Sequence, residues 1–124
     1  MNTNHQKTIF QCRPSENGYD WTIISRLGDM LNRAEAMYGP RDKDFTILGG
    51  EIAEISQPQI WFPGDCGHVA IQLTPECLHD SNLAIFQAAH EIVHCLCPRP
   101  GRASVLEEGA ATFFSIEYLS LIHI

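Results

Sequence analysis

The stretch Asp80-Ser-Asn-Leu-Ala-Ile-Phe-Gln-Ala-Ala-His90-Glu-Ile-Val-His94-Cys-Leu-Cys-Pro98 is apolar on almost every side. Ile85, Ala88, Ala89, Ile92 and Leu96 recur at helical spacing, and Phe86 and Val93 widen the stripe. Asp80-Ser81 offers an N-cap and Pro98 a stop, so the pattern predicts a largely buried helix over about residues 82–97. Two histidines and a glutamate interrupt it. Ionisable groups in a buried helix are costly unless paired or metal-bound, which disfavours reading them as ordinary packing residues.

Downstream, residues 98–103 form a connector rich in Pro, Gly and Arg. Ser104-Val-Leu-Glu107 then reads as a capping box, opening a helix that runs through Phe113, Phe114 and Ile116. Upstream the period changes. Phe45-Thr-Ile-Leu48 and Ile52-Ala-Glu-Ile55 flank Gly49-Gly50, a hairpin or a bulge. Gln59-Ile-Trp-Phe62 is a third short strand. His68-Val-Ala-Ile-Gln-Leu73 alternates, with Val69, Ile71 and Leu73 on one face and Ala70 and Gln72 on the other. Three or four such strands fit most simply as an antiparallel sheet. Before them, Ile23, Ile24, Leu27, Met30, Leu31 and Ala34 mark an amphipathic helix over about residues 20–38, closed by Gly39-Pro40. The expected class is α+β: an N-terminal helix, a small three- to four-stranded sheet, then two helices.

His90-Glu-Ile-Val-His94 has the H-E-x-x-H spacing of zinc peptidases. Residues four apart on a helix share a face, so both imidazoles can reach one ion. Glu91 projects beside them, placed to take a proton from a water on the metal, whose pKa zinc lowers from about 15.7 toward 7. Two histidines and a water leave one zinc position open, for which Glu107, Glu108 and Glu117 are the downstream candidates. Glu107 has a structural task at the third position of the capping box, and Glu117 lies almost three turns further on. Glu108, a quarter-turn from Glu107, is the choice.

The two ligand segments, His90-Glu-Ile-Val-His94 and Leu106-Glu-Glu-Gly-Ala110, resemble the gluzincin clan of metallopeptidases. The short gap between them is most similar to the minigluzincins, bare catalytic cores of that clan. The resemblance spans about residues 59–117 and implies a zincin-like fold with His90, His94 and Glu108 as zinc ligands and Glu91 as general base. It also implies a sheet whose edge strand lies along the substrate cleft, and the strand at 68–73, with the small Gly67 and Ala70, takes that position. Larger relatives stabilise the oxyanion with a Tyr, His or Arg. Tyr118 and His68 are the candidates here, each with an ordinary structural reading beside it.

The 124 residues allow one domain, 44% hydrophobic and 19% charged, with a net charge of -7 that argues against nucleic-acid binding. No run reaches the length of a membrane span and no signal peptide is visible, so a cytoplasmic location is expected. Five cysteines (Cys12, Cys66, Cys77, Cys95, Cys97) fit reduced thiols better than a disulfide framework, a Cys66–Cys77 bridge being the one pairing considered. Cys95 points away from His94 and reads as a small buried residue, as does Cys97; Cys12 is a latency ligand by residue type alone, and His5 and His79 read as surface. Residues 1–19 are polar and expected to be flexible. Leu119-Ser-Leu-Ile-His-Ile124 reads like a translated sequencing adapter, so the natural chain is expected to continue and His123 is given no role. The functional expectation is a zinc peptidase acting on a peptide or protein, with no nucleic-acid or membrane partner and an open oligomeric state. Two alternatives stand beside it: a regulatory zincin module that binds or cleaves one protein partner, and a structural zinc domain. Glu91 argues against the latter.

Overall fold

A computed structural model describes residues 19–64, 67–101 and 103–123, with side chains from residue 26 onward. The expectations for residues 1–18, including His5 and Cys12, for the side chains of Ile23 and Ile24, and for Cys66 lie outside the described residues. Helix α1 is Tyr19–Tyr38, followed by strands β1 (Thr46–Ile52), β2 (Gln59–Trp61) and β3 (His68–Leu73). A short 3-10 turn, Pro75–His79, leads into helices α2 (Ser81–His94) and α3 (Val105–Ile122). This is an α+β fold, as the change of period along the chain requires.

Leu27, Met30 and Ala34 are fully buried on one side of α1. The helix closes at Gly39, whose φ of 104° is in the left-handed region that a residue with a Cβ rarely adopts, and Gly39 N–H donates to Glu35 O at 2.8 Å.

The sheet is mixed. Its order is β1-β3-β2, with β1 parallel and β2 antiparallel to β3. The expected antiparallel arrangement is therefore wrong. The Gly49-Gly50 pair does not turn a hairpin: Thr46–Ile52 is one strand, β1, which begins after Phe45 and whose pairing with β3 slips between Ile47 and Gly49. Gly49 takes a φ of 145°, the bulge conformation that only the Gly-Gly pair allows cheaply. The strand ends at Ile52, so no strand covers residues 53–55.

The edge-strand expectation also fails. β3 is the central strand, and Val69, Ala70, Ile71, Gln72 and Leu73 are all buried. A strand covered on both faces loses the exposed alternation its sequence suggests. Gln72 is accommodated by a polar ladder across the sheet: Gln59 Nε2 donates to Gln72 Oε1 at 2.7 Å, and Gln72 Nε2 to Glu51 Oε2 at 2.9 Å. β2 is the edge strand on the side of the site.

α2 fills the space between sheet, α1 and α3. Ala84, Ala88, Ala89 and Ile92 are fully buried, and burying a side chain such as Ile92 contributes about 1.5–3 kcal/mol. Asp80 caps the helix, its Oδ1 accepting from Leu83 N at 3.0 Å. The helix ends at His94, three residues before the expected 97, with Cys95 as its C-cap. Pro98 has no N–H for the His94 carbonyl, and its ring clashes with a helical residue four back.

Three described cysteines are free thiols: Cys77 and Cys95, both buried, and Cys97, exposed. Cys77 Sγ donates to Gln87 Oε1 at 3.2 Å, inside a buried network with Thr74, and burial pushes its thiol pKa up. Burial likewise raises Cys95, which leaves it an inert packing group.

Candidate metal centre

The two histidines lie one turn apart on α2, with ring centroids 5.2 Å apart. One ligand atom from each of His90, Glu91 and His94 can be chosen so that all lie within 4.8 Å of one another, a grouping that could hold a metal ion. His94 and Glu91 are buried at 7% and 4% exposure, and His90 is half-buried.

α3 supplies the remaining groups. Ser104 Oγ accepts from Glu107 N at 3.1 Å and Ser104 O from Glu108 N at 2.9 Å, fixing the first turn against α2. Glu108 Oε1 then lies 2.9 Å from His90 Nε2 and 3.3 Å from His94 Nε2. Glu108 thus makes close polar contact with both imidazoles, beside the His90, Glu91 and His94 grouping that could hold a metal ion. Glu117, exposed nearly three turns on, is not part of the cluster.

The capping box is only half realised. Glu107 does not reach back to Ser104. Its Oε2 accepts from His94 Nδ1–H at 2.6 Å, and its Oε1 accepts from Arg99 Nη2 at 2.9 Å. A hydrogen bond from a buried imidazole outweighs one to an exposed backbone N–H at a helix start. The consequence is chemical: with Nδ1 held by Glu107, Nε2, which lies against Glu108 Oε1, is the nitrogen of His94 that a metal ion would take.

The charges are coupled. Burial pushes the Glu91 carboxyl up to about 7, with Glu108 reinforcing and His94 opposing. Burial alone would lower His94, but the hydrogen bond to Glu107 and the charges of Glu91 and Glu108 carry its pKa upward. Burial also pushes Glu108 up, yet the hydrogen bond from His90 and the two imidazole charges hold it below the usual carboxylate range.

An open groove of about 730 Å³ runs past this cluster. One wall is residues 57–62, ending in β2; the other is the connector with Arg99, Pro100 and Gly101, continuing to Val105. Trp61, 44% exposed, and Val105, 91% exposed, give it apolar surface. Sequence reasoning missed this wall, since strand order cannot be read from periodicity. It also missed Arg99, for which the connector's position beside His94 was the only available signal. A smaller hollow between α2 and α3, lined by Phe86, Ile116, Leu119, Ser120 and His123, holds none of the cluster.

The remaining candidates lie elsewhere. Tyr118 is buried at 2% exposure, and its hydroxyl donates to Asp29 Oδ2 of α1 at 2.8 Å. His68 opposes Thr46 at the start of β3 and does not line the groove. His79 is exposed in the 3-10 turn, and His123 Nε2 lies 2.9 Å from Asn82 Oδ1. Residues 119–122 continue α3, with Leu119 and Ile122 packed against the core.

Compared with known proteins, the chain matches no protein-family model, no curated protein and no solved structure. Among the described residues no helix is long and apolar enough to cross a membrane.

Proposed function

We propose that this chain is a zinc-dependent peptidase of gluzincin type, in which His90, His94 and Glu108 hold the metal and Glu91 is the general base. The observation that carries the reading is the meeting of His90 Nε2, His94 Nε2 and Glu108 Oε1 beside a buried carboxyl, Glu91. Two imidazoles and one carboxylate suit zinc better than the all-oxygen cations, and they leave a fourth position for a water. A zinc ion there would acidify that water and polarise a substrate carbonyl.

The chain's own groups supply the rest. Glu91, buried beside the two imidazoles, is placed to accept a proton from the attacking water and return it to the leaving amine. Glu107 holds His94 in the tautomer that ligation needs. Beyond β2 no strand is paired among the described residues, so an extended peptide can add to that edge and lie along the groove.

The test is a peptide-library digest by wild type and Glu91→Gln, with and without a chelator. Cleavage should occur only with zinc-loaded wild type, while Glu91→Gln keeps its zinc. A fully zinc-loaded wild type that cuts nothing in the library would count against the peptidase reading.

A further inference from the structure

The groove beside the metal cluster is lined by three carboxylates, Glu91, Glu107 and Glu108, and among its described lining residues by one guanidinium, Arg99. Arg99 lies on the connector, and the edge strand β2, along which a peptide would lie, lines the same groove. Its guanidinium has five N–H donors, and one bond is made: Nη2 to Glu107 Oε1 at 2.9 Å. The Arg99 side chain is 61% exposed, and ion pairs at such exposure contribute little to stability. Glu107, 24% exposed, already has its other oxygen on His94, so it is fixed without Arg99. The arginine, which lines the groove together with the exposed Trp61 and Val105, therefore keeps guanidinium donors that Glu107 does not take.

We propose that Arg99 forms a carboxylate-binding subsite, which selects peptides carrying an acidic side chain or a free chain terminus next to the bond in the groove. This rests on the peptidase reading above. A guanidinium pairs with a carboxylate through two parallel N–H···O bonds, and no neutral side chain offers the same match. The surrounding acidity does not forbid it. A bound dication offsets Glu107 and Glu108. An acidic group arriving at Arg99 meets the guanidinium's free donors, with the exposed Trp61 and Val105 in the same groove available to cover an adjacent apolar residue.

The test uses zinc-loaded Glu91→Gln, which binds without cutting, and calorimetric titration with matched peptides. Glu is moved position by position along the peptide against Gln, and each peptide is made with a free and an amidated C-terminus. One acidic placement should bind about tenfold or more tightly than its neutral match, the strength of a charge-assisted hydrogen bond. The Glu/Gln comparison and the amidation comparison separate a side-chain from a terminal carboxylate. The ratio should fall toward one when Arg99→Ala is added and be partly kept by Arg99→Lys. Taking the ratio within one variant cancels any effect of Arg99 on metal loading. A ratio near one at every placement, an absence of binding, or a preference that survives Arg99→Ala would overturn the subsite. If Glu91→Gln shows the preference but zinc-loaded wild type never cuts those peptides, the peptidase reading falls and the subsite stands.

Discussion

Replacing Glu91 by Gln in the chelated, metal-free protein should stabilise the fold at pH 8 and leave it nearly unchanged at pH 4. Burial raises the Glu91 carboxyl from an ordinary value of 4.5 to about 7. The folded state therefore binds more protons than the unfolded chain between those values, and wild-type stability falls as pH rises through that window. That rise from 4.5 to about 7, with each tenfold change in proton affinity contributing about 1.4 kcal/mol, makes the loss about 3 kcal/mol once pH exceeds the folded pKa. Gln is nearly isosteric and does not ionise, so it escapes the loss. Urea denaturation at pH 4, 6 and 8 with chelator gives the quantity directly, because subtracting wild type from variant cancels titrations common to both. The difference should climb from near zero to about 3 kcal/mol. A flat difference, or a variant less stable than wild type at pH 8, would mean that Glu91 is not held in the apolar setting its base role needs.

Two further substitutions probe the surrounding shell. Glu107→Ala should weaken zinc affinity by about 10–100-fold in competition with a chromophoric chelator, by freeing the His94 ring, while Glu107→Gln costs less. The cap bond from Glu107 N to Ser104 survives both changes, so unfolding midpoints should move little. Tyr118→Phe removes one hydrogen bond to Asp29, a half-exposed carboxylate that keeps its pairing with Arg33. It should cost about 1 kcal/mol in urea and leave peptide cleavage unchanged; a drop of about 100-fold or more would return Tyr118 to the oxyanion role.

Local chemistry was the legible part. The spacing of Leu27, Met30 and Ala34, the Asp80 and Ser104 caps and the apolar faces of α2 placed all three helices to within a few residues. The cluster was legible for the same reason, since the relation of His90 to His94 is fixed by one helical turn. Strand pairing was not. The β1–β3 parallel pair joins residues more than 20 apart in sequence, and nothing in Phe45-Thr-Ile-Leu48 or Gly49-Gly50 encodes that partner. The burial of Gln72 depends on Gln59 and Glu51, two other strands' residues, so its polar character pointed the wrong way. Glu107 shows the same limit at one side chain. Its local cap and its distant imidazole compete, and only the packing of α3 on α2 decides between them.

The account depends on Glu108 completing a metal site with His90 and His94. Zinc stoichiometry of purified wild type, Glu91→Gln and Glu108→Ala, measured after equilibration with limiting chelator, tests it most directly. One equivalent should remain in wild type and in Glu91→Gln, and Glu108→Ala should lose it. Equal zinc in wild type and Glu108→Ala, or none in wild type, would contradict the assignment.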